Sequence, residues 1–89
     1  MTNPIHLIVR DRKGTILDTK VSYVSSFNER GRFDVLSDHA NFISIVDKRI
    51  IYSDGEKQNE IDVTNGIMRV AGNTVEVYLS FKGLSDVLK

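Results

Sequence analysis

The sequence contains no cysteine and no tryptophan, and it has only one proline and two histidines in 89 residues. Without cysteine the chain cannot form disulfides, thiolate zinc sites or iron–sulfur clusters, and it has no thiol nucleophile. That absence fits a reducing compartment. His6 and His39 lie far apart, and neither has another good metal ligand two or four residues away. We therefore expect neither a metal site nor a cofactor.

The chain also lacks an excess of charge and a long apolar run. Twelve basic and twelve acidic side chains give zero formal net charge, with a sequence pI near 6.7. This balance argues against a dedicated binder of nucleic acid or anionic membranes. No stretch approaches the roughly 18 apolar residues of a spanning helix, and residues 1–4 lack the features of a signal peptide. The sequence predicts a cytosolic protein, or one peripheral to the inner face of a membrane.

The chain is rich in β-branched residues. Ten valines, nine isoleucines and five threonines stand against six leucines and two alanines, which favours strands over helices. Apolar residues alternate with polar ones between turn signals, and this period of two is typical of strands with one buried face. The pattern predicts one small antiparallel sandwich or barrel. The turn signals lie at residues 11–14, 28–31, 54–55, 65–66 and 72–73.

No recognisable arrangement of catalytic residues is present. Ser37, Asp38 and His39 are consecutive, and three consecutive side chains cannot point into one proton relay. Walker loops, G-x-G-x-x-G loops and nucleophile elbows are missing from the sequence. The basic residues around Asp11 indicate a solvated hairpin tip, because no stacking aromatics accompany them. We expect a non-enzymatic domain that binds partners, with the apolar residues Phe27, Phe42 and Ile67 exposed in loops.

Residues 36–46 interrupt the alternation. A polar corner from Ser37 to Asn41 precedes a nearly continuous apolar run, and this arrangement predicts a loop followed by a strand that is buried on both sides. The last residues, 82–89, have room for about one helical turn and cannot form an independent element.

Two segments resemble the epsilon subunit of rotary ATP synthases, which is called delta in mitochondria. Residues 31–40, G-R-F-D-V-L-S-D-H-A, are similar to that family's G-x-F-G-x-L-P-G-H-A-P signature. Residues 61–70, I-D-V-T-N-G-I-M-R-V, followed by N-T-V-E-V at 73–77, resemble its later segment, in which a strand leads through S-G-G-F into a hairpin ending in N-x-V-x-V. Together with the opening strand at 5–9, the resemblance covers residues 5 to about 81.

The sequence departs from the family pattern in and around the corner. Asp34 replaces a glycine, Ser37-Asp38 replace Pro-Gly, and Asn41 replaces a proline, while Phe27-Asn28 stand where the family begins its loop with Pro-Gly. Proline and glycine restrict or permit backbone states that other residues reach at a cost. We expect the corner to be looser than in the family, or to use another turn type.

The resemblance implies an all-β fold, a small antiparallel β-sandwich of about eight to ten short strands. It implies a single domain over residues 1–89, with the sandwich at 5–81 and a short tail at 82–89. In the family a C-terminal helical hairpin regulates ATP hydrolysis, and the eight residues after Phe81 are too few to form one. No inhibition by a hairpin is therefore expected.

The resemblance further implies a non-catalytic rotor subunit of a proton- or sodium-translocating F-type ATP synthase. Its partners would be the gamma subunit and the polar loops of the c-ring, between which it transmits torque at the cytoplasmic face of a bacterial inner membrane, as a peripheral part of the complex. The residues implied at the c-ring are Glu29, Arg30, Gly31 and Arg32. Those implied at the gamma subunit are His39, Ala40, Phe42 and Ser44.

The implied ring-facing loop is more basic than is usual in the family, because it carries Arg30 and Arg32. We expect the facing ring loops to carry acidic residues, which would contribute orientation more than affinity. The alternative function is a stand-alone β-sandwich adaptor that binds other proteins, since a shared fold does not fix a function.

Overall fold

The computed structural model describes residues 4–36 and 41–79, which form strands joined by turns, with no helix among them. Four of the five predicted turn clusters lie between consecutive strands, and these turn predictions are confirmed. The fifth, Asn65-Gly66, lies inside a strand. The seven strands are β1 (Ile5–Asp11), β2 (Gly14–Val21), β3 (Tyr23–Asn28), β4 (Gly31–Val35), β5 (Phe42–Ser53), β6 (Gln58–Ala71) and β7 (Thr74–Tyr78).

The strands form one sheet in the order β2-β1-β7-β6-β5-β3-β4. All neighbours are antiparallel except β1 and β7, which are parallel. The strands β5 and β6, with 12 and 14 residues, are the longest in the described part of the chain. The two ends of this single sheet face each other across one core, and this arrangement gives the sandwich.

The sheet folds over at a bulge shared by β5 and β6. The register between them shifts between Val46 and Lys48, and two non-glycine residues there, Lys48 and Asn65, have positive φ angles of 70° and 58°. Bulges bend a strand and increase its twist, which lets it pass from one layer to the next. Layer 1 therefore contains β2, β1, β7, residues 66–71 of β6 and residues 42–46 of β5. Layer 2 contains β4, β3, residues 49–53 of β5 and residues 58–63 of β6.

The contact between Phe33 and Phe42 shows how far β5 bends. Phe33 of β4 lies level with Ser26, whose hydroxyl donates to the carbonyl of Arg49 in β5. In a straight strand Phe42, seven residues earlier, would lie roughly 23 Å away. Its ring centroid is instead 6.1 Å from that of Phe33, at an interplanar angle of 74°. This edge-to-face pair joins the two layers.

The predicted all-β sandwich is confirmed. The described residues form seven strands, whereas the resemblance implies about eight to ten short ones. The bulge bends β5 and β6 without breaking them, so each contributes one segment to both layers. Counted by layer, there are five segments in layer 1 and four in layer 2, nine in all. Thus two long bent strands contribute four of the nine segments.

Among the described residues, fourteen apolar side chains are buried, and thirteen of them form one continuous core that both layers share. Leu7, Val9, Val75 and Val77 come from layer 1, and Val24 and Val35 come from layer 2. The predicted alternation of buried and solvated residues is confirmed most clearly in β1 and β7. One core beneath two layers supports a single rigid body.

Candidate functional site

One end of the sandwich is formed by the hairpin between β3 and β4. Glu29 and Arg30 are its two turn residues, and Gly31 begins β4 with a φ of 110°, a conformation that glycine adopts without strain. The side-chain Oδ1 of Asn28 accepts a hydrogen bond from the backbone N–H of Arg30 at 2.9 Å. This hydrogen bond forms an Asx turn, which fixes the loop conformation. The charged side chains of Glu29 and Arg30 are exposed to solvent.

Arg32, the fourth residue of the predicted ring-facing set, differs from its neighbours because it has a local partner. Its Nε lies 3.5 Å from Oδ1 of Asp34, which also accepts the hydroxyl of Ser25 at 2.5 Å. Asp34 replaces a glycine of the family that the sequence resembles. It therefore gives the strand a carboxylate that holds Arg32 along β4, whereas the side chains of Glu29 and Arg30 have no ion pair within the described part of the chain.

The first half of β5 lies next to this hairpin. Ser44 accepts a hydrogen bond from the amide of Asn28 at 3.2 Å and donates one to the carbonyl of Ile45 at 3.1 Å. Phe42 and Ser44 face inward, and the intervening side chains of Ile43 and Ile45 face outward with 69% and 70% of their surface exposed. Thus the Asn28–Ser44 bond links the hairpin to a strand with a strongly apolar outer side.

Between the hairpin tip and β5 runs an open groove with a volume of about 730 Å³. It exists because β3 and β5 stay paired only as far as Phe27 and Asp47, after which β5 bends away into layer 1. The groove brings Glu29 and Arg30 of the predicted ring-facing set together with Phe42 and Ser44 of the predicted gamma-facing set. It is lined by Phe27, Asn28, Glu29, Arg30, Phe42, Ile43, Ser44, Ile45, Asp47, Lys48 and Asn65.

Among the predicted interface residues that the structure describes, two do not line this groove. Gly31 and Arg32 lie on β4, just beyond the hairpin turn. His39 and Ala40 lie outside the described residues, as does most of the corner from Ser37 to Asn41 and the tail at 82–89. Asn41 itself is described, and its Oδ1 accepts a hydrogen bond from the N–H of Gly72 at 2.9 Å.

The prediction that the strand after the corner is buried on both sides is wrong for residues 42–46. Among the described residues, Ile43 to Val46 pair as a strand with β6 only, and the side chains of Ile43 and Ile45 face solvent. Ile43 and Ile45 are therefore among the most exposed large apolar side chains of the described residues. Sequence reasoning missed them because four of the five residues are apolar, so no alternation marks the solvent face.

The other predicted apolar residues lie in strands and not in loops. Phe27, the second-last residue of β3, is half-buried, with Nζ of Lys48 5.3 Å and Cζ of Arg49 5.2 Å from its ring centroid. Cations over an aromatic face are attracted by the ring quadrupole. This contact holds Lys48, with its positive φ, against the groove wall. Ile67 is half-buried in β6, next to Ile45 in the register.

An ionic network crosses the outer face of layer 1. The carboxylate of Glu76 accepts hydrogen bonds from Arg10, from Arg69 at 3.1 Å and from the hydroxyl of Tyr78 at 3.0 Å. The Arg10 hydrogen bond is the main cause of a lowered pKa of Glu76, assisted by Tyr78 and opposed by partial burial. The same bond raises the pKa of Arg10. These contacts tie β1, β6 and β7 together beside the apolar row of Ile45 and Ile67.

Glu76→Gln is therefore expected to lower the free energy of unfolding by about 1 kcal/mol at neutral pH. Because the folded protein depresses the pKa of Glu76, its contribution is complete above the ordinary glutamate value of about 4.3 and is lost as the pH falls through the folded value. Urea unfolding of both proteins across this range should show the two stabilities converging in acid. Glu56→Gln, on an exposed turn, is the matched control and should change neither quantity. A constant difference at all pH values would contradict the assignment.

The described residues offer little for chemistry. They contain no group of three or more His, Asp or Glu placed to hold a metal ion, and no helix that is long and apolar enough to cross a membrane. His6 lies on β1, and its Nε2 lies 2.5 Å from Oδ1 of Asp18 on β2. What the groove presents is exposed apolar surface with charges of both signs at its rim, which suits the binding of another protein.

Comparison with known structures shows the fold of this chain in two mitochondrial ATP synthases. A chain in the Euglena gracilis ATP synthase structure, described as OSCP/F1/c-ring, superposes with a TM-score of 0.79 at 16% identity, covering 96% of this chain and 61% of that one. A chain in the Tetrahymena thermophila structure, described as central stalk/c-ring, gives 0.71 at 10% identity, covering 88% and 64%. The chain thus spans less than two thirds of the length of either.

Among curated proteins no sequence matches this one. The family comparison is more specific, because residues 4–80 match the model of the ATP synthase delta/epsilon chain, β-sandwich domain. That match covers nearly the whole chain, including the groove and both segments whose motifs carry the resemblance. The chain therefore belongs to the ATP synthase delta/epsilon chain family, through its β-sandwich domain.

Proposed function

We propose that this protein is a non-catalytic rotor subunit of an F-type ATP synthase, in which it links the gamma subunit to the c-ring and transmits torque between them. The observation that carries the proposal is the match of residues 4–80 to the delta/epsilon sandwich domain. The structural relatives support it, since they come from assemblies described as containing F1, the central stalk or the c-ring.

We assign the ring contact to the hairpin tip, residues 29–32. These residues are exposed, the turn is held by Asn28, and Glu29 and Arg30 carry charges that no described residue neutralises. We assign the gamma contact to Phe42 and Ser44 with the neighbouring His39 and Ala40. The two contacts would adjoin, because the Asn28–Ser44 hydrogen bond joins the hairpin tip to β5.

The construction of the sandwich suits a part that transmits torque. The strands β5 and β6 run unbroken through both layers, and a single core packs between the layers. A load applied at the hairpin tip would therefore pass along covalent strands and through close-packed side chains, which resist shear. Regulation of hydrolysis by a helical hairpin is not part of the role that we propose for residues 4–79.

The proposal places the protein at the membrane surface, as a peripheral part of the synthase. Attachment would come through the ring. The bacterial inner membrane remains a prediction, because the two structural relatives are mitochondrial.

The proposal is tested by reconstitution. ATP synthase stripped of this subunit and placed in vesicles should hydrolyse ATP with little ion pumping, and adding back the full chain should restore pumping. The adaptor alternative predicts pumping that does not depend on the chain. Pumping that is complete without the chain would contradict the rotor role.

Arg32→Glu is expected to weaken association with the ring several-fold at low salt, with the difference disappearing as salt rises. The reason is that rim charges act mainly through long-range attraction, which salt screens. Ring binding should be measured at several ionic strengths. Arg12→Glu, in the β1–β2 turn, is the matched control and should bind like the wild type. Unchanged affinity and salt dependence in Arg32→Glu would refute an acidic partner surface.

A further inference from the structure

We propose that residues 43–46 of β5 accept an extended segment of the gamma subunit as an additional strand of layer 1. The inference rests on the proposed function and adds the mode of binding to it. In the described residues this stretch is hydrogen-bonded as a strand to β6 only, since the pairing with β3 ends at Asp47. An edge of this kind presents backbone donors and acceptors that can continue the sheet.

The edge lacks the usual protection against pairing. Natural edge strands are blunted by charged residues, prolines or a bulge in the open stretch, and residues 42–46, Phe-Ile-Ser-Ile-Val, contain neither charge nor proline. The bulge lies beyond them, at Val46 to Lys48. The opposite edge of the same layer, β2, carries Lys20 and Asp18. An unprotected edge in a protein that must stay soluble indicates that a partner covers it.

The shape of the groove favours a single strand as the occupant. The edge forms one wall and residues 27–30 form the other, and the Asn28–Ser44 hydrogen bond joins the two walls. A second copy of this chain would have to place its own hairpin tip in the same space to pair there. An extended segment of a different protein has no such obstacle.

The side chains that line the groove indicate which residue types the bound segment should carry. Ile43 and Ile45 project from the outer face, and the row through Ile45 continues across the layer to Ile67 and Tyr78. Alternate residues of the segment should therefore be apolar, to cover this row. At the rim, Glu29 and Arg30 on one wall and Asp47 on the other have no ion pair within the described chain. We expect the ends of the segment to carry charges of both signs.

The test combines amide hydrogen exchange with binding to the isolated gamma subunit from the same source. In the wild-type chain, gamma should slow exchange at amides within 43–46, because strand addition uses the backbone itself. Ile45→Lys should weaken gamma binding by about tenfold or more, as expected for a central apolar anchor. The matched control is Ile16→Lys, which changes an isoleucine that is 51% exposed on the opposite edge strand, and its affinity should stay within about twofold of the wild type.

Each other outcome is decisive. Gamma binding without slower exchange at 43–46, and with full affinity in Ile45→Lys, overturns the added strand and leaves the rotor role standing. Failure of the wild type to bind gamma overturns both. If the chain alone self-associates and slows the same amides, a second copy occupies the edge and the proposal is wrong. The wild-type exchange measurement needs no variant, so a misfolded Ile45→Lys would not obscure the answer.

Discussion

Gly66→Ala is expected to lower the free energy of unfolding by about 2 kcal/mol, within the usual range for overpacking a core. Gly66 is buried in β6 at the point where the sheet folds over. A Cβ added there would lie 2.8 Å from Cγ1 of Val63, 3.1 Å from Cγ2 of Val46 and 3.3 Å from the carbonyl oxygen of Tyr78. A contact of 2.8 Å is shorter than two carbon atoms tolerate, so the side chain of Val63 or the backbone would have to move. The carbonyl of Tyr78 belongs to β7, which is hydrogen-bonded to β6 and cannot shift alone.

A control variant distinguishes the steric clash at Gly66 from ordinary backbone strain. Gly55→Ala is the control: its φ is 104° and no atom lies within 4 Å of an added Cβ, so it should cost only about 1 kcal/mol. Because the Gly66→Ala clash is with Val63, adding Val63→Ala should cost less in that variant than in the wild type. Chemical denaturation of the four proteins in this cycle measures the coupling. Additive losses would show that the close approach at Gly66 is not what constrains the residue.

Phe42→Ala is expected to lower the free energy of unfolding by about 2 kcal/mol, which is less than for a fully buried phenylalanine because Phe42 is only half-buried. Its ring meets Phe33 edge to face and joins the first half of β5 to layer 2. Without that contact, β5 should lie less firmly over the core. Gamma affinity should fall as well, since Ile43 and Ile45 depend on the same stretch of strand.

Phe33→Ala is the companion measurement for Phe42. Phe33 makes the same ring contact from β4 but does not line the groove. We expect it to lose similar stability and to lose less gamma affinity than Phe42→Ala. If the two variants lose affinity equally, Phe42 acts only by supporting β5. If Phe42→Ala leaves stability unchanged, the ring pair does not join the layers, and the account of the bent β5 fails.

Much of the fold follows from local sequence signals. Alternation in β1 and β7 identifies their buried residues, and four turn clusters mark true strand ends, because glycine, asparagine and aspartate permit the tight turns that hairpins require. The motif resemblance identifies the family, and the match over residues 4–80 confirms it. These features depend on residues that are close together in the sequence, so they can be predicted from one amino-acid sequence.

The bend in β5 and β6 could not be read in the same way. The pair Asn65-Gly66 predicts a turn by its local chemistry, but here Asn65 takes a positive φ inside a strand, and Gly66 is required by side chains from β5 and β6. Lys48, which carries the other positive φ, has no sequence signature for it. A bulge is set by how two long strands pack over one core, and that information is not local.

The candidate site, like the fold, was only partly predictable from the sequence. The exposed hairpin tip at Glu29 and Arg30 was predictable from its turn chemistry and from the family motif. The groove beside it was not, because it results from the separation of β3 and β5 after Phe27 and Asp47. Ile43 and Ile45 look like core residues in the sequence, and only the structure shows that they face outward from layer 1. Among the described residues they also lie at an edge, because the pairing of β5 with β3 ends at Asp47.

The most direct test of the rotor assignment is the binding of the full chain to the gamma subunit from the same source, measured by calorimetry at micromolar concentrations. A rotor subunit of this kind should form a saturable complex of one chain with one gamma subunit. No detectable binding under these conditions, with both proteins folded, would contradict it.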